Sequence, residues 1–302
     1  MTALQHLVSI GAPSAPTDAP ARDVTPARPS RAVLRTVVVV VAIVAIALLA
    51  SAALFRLNGG SWFIVETPSM GTAAPVGTFV LTGPTTRAEL HVGDVIAFHP
   101  PTTPNETYTH RITAISDAGL ISTQGDINGA ADPWQLTEQN VVGKATAIIP
   151  GLGWLIRGLP IVLLGLVVVW LVTSRVKVAP RKVAYRITGL SLVFSVAAFI
   201  LKPFTGVVVE QIDVTDGTAK ATVVGTGLLP IRVQADHGTY VDLVSGQIGH
   251  VTVPATANQD LYSISTALHL DFWGWVIFAT TCCLPLLWTL IVGLPPRTEE
   301  AS

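Results

Sequence analysis

The sequence predicts a membrane protein in which an all-β extracytoplasmic domain and a second, smaller extracytoplasmic β domain are carried on about four transmembrane helices. Three observations predict this. Half of the 302 residues are hydrophobic and only 12% are charged, with a mean hydropathy of +0.58. A soluble domain carries roughly a quarter charged residues. Long apolar runs recur along the chain. Between them lie two stretches of short β-type runs punctuated by Gly, Pro, Asn and Asp. The net charge of −1 provides no electrostatic footprint for a nucleic-acid partner.

In chain order, residues 1–35 open with an Ala-, Pro-, Ser- and Thr-rich stretch without periodicity, expected to be a disordered cytoplasmic tail. The run Thr36–Phe55 has 20 residues and no charge, about the length that crosses a bilayer. It is longer than a signal-peptide core of about 7–15 residues and lies further from the N-terminus, so an uncleaved anchor is expected. Residues 56–150 contain "WFIV", "TFVLT", "DVIAFH", "HRITAIS", "LISTQ" and "VVGKATAII", enough for one small β core.

A second apolar run covers 154–173, interrupted by Arg157, and a third covers 187–201. Residues 174–186 between them form a basic loop with Arg175, Lys177, Arg181, Lys182 and Arg186. Residues 202–271 again read as β, through "GVVVEQIDV", "KATVVG", "IRVQA", "YVDLV" and "HVTV". The last run, 272–294, has interfacial Trp273 and Trp275 and a kinking Pro285, and precedes a short tail, 295–302. Arg22, Arg28, Arg31 and Arg35 fall on the same side as the basic loop if all four runs cross. The positive-inside rule makes that side the cytoplasm and both β segments extracytoplasmic.

Cys282 and Cys283 are the only cysteines and lie in the last apolar run. No disulfide framework or thiol catalysis is available elsewhere, which disfavours a sortase-like enzyme. His91, His99 and His110 have no ligand-type spacing and no nearby cysteine, so neither a metal nor another cofactor is expected. Asn105-Glu106-Thr107 is a glycosylation sequon, read as coincidental. In the second β segment, His237, His250 and His269 are scattered and read as structural or solvated.

The first β segment holds a serine, a histidine and aspartates in order: Ser69 in "ETPSM", His110 in "YTHRITAIS", and Asp126 and Asp132 in "STQGDINGAADPW". A serine hydroxyl is a weak nucleophile unless a base takes its proton and a third group orients that base. Taken singly, the same residues also suit a turn serine, a strand histidine and turn-forming aspartates.

Together the blocks "PSM" after an N-terminal anchor, "GDVIAF", "HRI", "GDIN" and "GKATAIIPGLG" resemble type I signal peptidases. The similarity is to the branch of archaea, the endoplasmic reticulum and some Gram-positive bacteria, in which a histidine stands where other members use a lysine. It covers roughly residues 50–160. It implies Ser69 as nucleophile, His110 as general base and Asp132 as its orienter, with Asp126 in a supporting role. It also implies Thr67 as a second oxyanion donor beside the Ser69 N–H, and Lys144 as a non-catalytic lysine. Met70 follows the serine as in the family. The implied activity is a signal-peptide-removing serine endopeptidase, active in protein secretion on signal peptides of exported preproteins at the lipid bilayer, with the secretion machinery as a further partner. A membrane-anchored β scaffold or sensor without activity is the alternative. The sequence departs from the family at Thr72, where a proline is usual, and at Ile127 within "GDIN".

Overall fold

The computed structural model describes residues 31–215, 218–254 and 263–292. Of the expected tail at 1–35, residues 1–30 lie outside them, while 31–35 are helical rather than a tail, and the expected tail at 295–302 also lies outside. The chain forms two compact units, residues 1–53 and 54–302. The described part of the first belongs to helix α1 (Arg31–Leu57). Its run of β-branched valines has modest intrinsic helix preference. In lipid, however, every backbone polar group must be satisfied within the segment, and the helix does this. The helix ends at Asn58-Gly59, where Gly59 adopts φ +81° and the Asn58 side chain donates to Leu54 O at 2.7 Å.

In the second unit, strands β1 (Ser61–Ile64), β2 (Phe79–Gly83), β3 (Val95–Phe98), β4 (Tyr108–Ile115), β5 (Ile121–Gln124) and β6 (Val141–Ile149) form one sheet in the order β1-β2-β6-β3-β4-β5. All four residues of β3 are buried. Strand alternation splits them between two cores. Val95 joins Val65, Met70, Ala74 and Val80. Ile96 and Phe98 join Leu90, Ile112, Ile121 and Leu136. All six β runs read from the sequence of this domain are strands.

Helices α2 (Leu152–Ser174) and α3 (Ala179–Leu201) follow, with 23 residues each. At 1.5 Å per residue each is ~35 Å long, against ~30 Å of hydrocarbon. They pack through small residues: a methyl on Gly165 would meet Val193, and one on Gly189 would meet Val169. Both helices exceed the expected limits. Helix α3 begins well before Ile187, with Pro180 in its first turn, so Arg181, Lys182 and Arg186 are helical rather than part of a loop.

Strands β7 (Val207–Thr215), β8 (Thr218–Gly225), β9 (Ile231–Ala235), β10 (Tyr240–Leu243), β11 (Ile248–Pro254) and β12 (Ile264–Leu268) build two three-stranded sheets, β11-β8-β7 and β10-β9-β12. They enclose a core of Val223, Ile231, Val233, Leu243 and Val251, which makes a small sandwich. Strand β12 was not among the expected runs. Its "ISTAL" does not alternate polar with apolar residues and gains its place by pairing with β9. Helix α4 (Phe272–Val292) closes the described chain, with Asp271 Oδ1 accepting the Gly274 N–H at 2.6 Å as a cap. Among the described residues three helical segments are long and apolar enough to cross a membrane: Val38–Leu57, Leu152–Ser174 and Arg181–Leu201. The expected fourth span is helical, and its described apolar part is Phe272–Cys283.

Candidate active site

His110 lies within β4, opposite Ile96 of β3. Alternation along β4 sets it on the face of Tyr108 and Ile112, over the second core. Phe98 and Tyr108 meet its ring edge-on, with centroids at 6.0 and 5.8 Å. A buried imidazole requires partners for both nitrogens. Nδ1 lies 2.8 Å from Asp132 Oδ2, and Nε2 lies 3.1 Å from Ser69 Oγ. The His110 and Asp132 side chains are each only 5% exposed. With Asp132 accepting, Nδ1 carries the proton, and the bare Nε2 is left to accept the Ser69 hydroxyl.

Each member is held by its own local structure. Asp132 returns to the edge of β5, where its N–H donates to Thr123 O at 2.8 Å and its Oδ2 accepts the Thr123 hydroxyl at 2.6 Å. Thr123 shares the His110 face because it pairs with Ile112. Ser69 follows buried Pro68 and precedes Met70, which is 0% exposed in the first core. The Ser69 carbonyl accepts the Ile127 N–H at 3.0 Å. Gly125 backs it closely, since a methyl there would stand 2.7 Å from Ser69 O and 2.9 Å from Ser69 Cβ. The "GDIN" turn therefore supports the serine segment with its backbone.

Asp126 does not join this chain. It receives Arg111 Nε and Nη2 at 2.8 and 2.7 Å, and its hydrogen bond holds the guanidinium above its ordinary pKa. The pair ties β4 to the "GDIN" turn from the partly exposed side. Asp126→Asn is therefore expected to lower stability by ~1 kcal/mol, as for a well-formed bidentate pair near the surface. It should keep kcat within about 10-fold of the parent, against the ~10⁴-fold loss that removing a base-orienting aspartate causes. Thermal melting and a cleavage assay check both parts.

Lys144 is engaged by Asp94 at 2.8 Å. Burial alone would raise the Asp94 carboxyl, but hydrogen bonds from Lys144 and the His91 backbone, with the nearby positive charges, hold it below its ordinary value.

Ser69 and His110 open into a cleft of about 740 Å³. One wall is β1 and the segment after it, Trp62 to Thr67. The other is the approach to β4, Glu106 to Thr109. Tyr108 donates its hydroxyl to Glu106 at 3.1 Å, and this hydrogen bond pushes the phenol above its ordinary pKa. Arg157, near the start of α2, lines the cleft and pairs with Glu66. The cleft thus borders the end of a helix long and apolar enough to cross a membrane. Thr67 Oγ1 lies 3.4 Å from Ser69 Oγ. Sequence reasoning missed Thr123, Gly125 as a backing residue, and the Glu66–Arg157 pair. Only Gly125 had a sequence signal, its place in "GDIN".

Residues 33–118 match the family model described as signal peptidase, peptidase S26. The match bears out the resemblance to type I signal peptidases over that segment. It contains Ser69 and His110 and ends before Asp126 and Asp132. No curated protein matches the chain.

Proposed function

We propose that the protein is a multi-pass membrane serine endopeptidase that removes signal peptides from exported preproteins on the extracytoplasmic side. The single observation that carries the reading is the hydrogen-bonded chain Asp132–His110–Ser69, opening into a cleft beside a membrane-type helix. Ser69 Oγ attacks the scissile carbonyl while His110 Nε2 takes its proton. The tetrahedral intermediate collapses as His110 returns that proton to the leaving amine. Water, deprotonated by the same nitrogen, then releases the acyl group and restores Ser69. Asp132 holds the ring in the tautomer that both steps need.

The substrate has an apolar core followed by small residues at the cleavage site. Strand β1 pairs only with β2 among the described residues, so its outer edge can accept an extended peptide. Trp62, Phe63, Ile64 and Val65 give that groove an apolar wall. Its main-chain recognition leaves side-chain selectivity to pocket size.

Thr67 is proposed to donate to the oxyanion beside the Ser69 N–H, because its hydroxyl already stands next to the nucleophile. Thr67→Val should reduce kcat by roughly 10²-fold, the usual effect of losing one oxyanion donor, with KM little changed. Thr67→Ser should keep most of the activity, since it keeps the hydroxyl. Steady-state cleavage of a preprotein by the three forms in membranes checks this, and equal rates for Thr67→Val and the parent would remove Thr67 from the mechanism. The reading as a whole is tested by cleavage with Ser69→Ala and His110→Ala, treated below.

A further inference from the structure

Residues 202–271 lie outside the family match, yet one turn of this segment reaches the backbone just after Ser69. The turn between β10 and β11, residues 244–247, contains Gly246, which is buried at φ +76°. A methyl on Gly246 would run into the Gly71 carbonyl group, with its carbon at 2.5 Å, and stand 2.8 Å from Thr72 N. Gly71 is itself buried at φ +53°, two residues past Ser69. On another side it is closed off by Ile127 of the "GDIN" turn, which a Gly71 methyl would strike. The serine segment is therefore gripped between Ile127 and the backbone of Gly246. The turn is braced within its own domain, since Gly246 N–H donates to Gly225 O at 2.7 Å and Gly225 N–H to Gln247 O at 3.1 Å. A second touch point exists where Leu228 lies 3.4 Å from the position of a Gly151 methyl at the start of α2.

We infer that the second β domain is part of the catalytic unit, and that Gly246 is a positioning residue that holds Gly71 and so sets Ser69 against His110. The inference rests on the reading of Ser69 as nucleophile. A hydroxyl at 3.1 Å from its base tolerates little displacement, and an error of about 1 Å in such an arrangement costs ~10²-fold in rate. Gly246 is not among the residues that line the cleft, so its effect falls on kcat rather than on peptide binding.

The test compares Gly246→Ala and Gly246→Asn in the full-length protein. Asn accepts the left-handed backbone far better than Ala, but both add the Cβ that Gly71 excludes. If the contact positions Ser69, both variants lose about 10²-fold in kcat for a preprotein, with KM within about twofold. Amide hydrogen exchange across residues 70–73 should also become faster in both, while the Asn variant melts above the Ala variant because its backbone is less strained. A Gly246→Asn variant with parental kcat and parental exchange at 70–73 overturns the inference, because backbone strain alone then explains any Ala defect. Faster exchange with parental kcat also overturns it, since the contact would exist without positioning the serine. Ser69→Ala is run in the same assay. If it still cleaves, the nucleophile reading fails and the positioning role falls with it, whereas the exchange data still report whether the two domains touch at Gly71.

Discussion

Ser69→Ala is expected to abolish preprotein cleavage, by roughly 10⁴-fold or more, in a protein that still folds and inserts. The hydroxyl is the only group of Ser69 that the change removes, and its partners are His110 Nε2 and the Thr67 hydroxyl. Ser69 Cβ stays to fill the space left by Gly125, so the local backbone has no reason to move. His110→Ala should lose a comparable amount, and the double variant little more than either alone, because the residues act as a unit. The second variant also opens a hole beside Phe98 and Tyr108, so its melting temperature should fall while that of Ser69→Ala does not. The measurement is cleavage of a signal-peptide-bearing preprotein by each full-length form in membranes. Undiminished cleavage by Ser69→Ala and His110→Ala would remove both residues from the reaction, whereas a parent protein that cleaves no preprotein would leave a membrane-anchored β scaffold as the better description.

Asp132→Asn should lower kcat by about 10⁴-fold with only a small change in KM. The new amide keeps its shape, and because His110 Nδ1 and the Thr123 hydroxyl meet the same Asp132 oxygen, an amide that turns its NH₂ to that position has the Thr123 oxygen as a second acceptor. Its NH₂ group then faces His110 Nδ1 and favours the ring form whose proton sits on Nε2, pointing at Ser69. A protonated Nε2 cannot accept the serine proton. Asp126→Asn provides the control, since that carboxylate serves Arg111 instead. If the two aspartates produced equal losses, the orienting role of Asp132 would be wrong. Each comparison needs both kcat and KM, because damage to the β1 wall would raise KM alone.

The strands were readable because alternation and turn residues are local signals. "DVIAFH" and "HRITAIS" each carry their own period and stops, and they became the central strands that hold Ile96 and His110. Helix ends were read less well. Arg181, Lys182 and Arg186 resemble a basic loop in composition, whereas Pro180 in the first turn was the available sign of a helix start. Strand β12 is harder to read because its five residues do not alternate polar with apolar, and its order comes from the backbone of β9.

For the site, the sequence by itself determined the inventory and its order: an apolar anchor, then Ser69, then His110, then two aspartates, with no cysteine among them. That follows from covalent chemistry and from local hydropathy, which neighbouring residues fully specify. Only the tertiary structure decided which aspartate reaches His110. Asp126 and Asp132 lie in one short loop, and their division depends on Thr123 and Arg111, which β5 and β4 present to opposite sides. The tertiary structure alone also brought Gly246 onto Gly71. That contact joins residues far apart in sequence, and it is fixed by how the two β domains pack, which no local pattern in either one encodes.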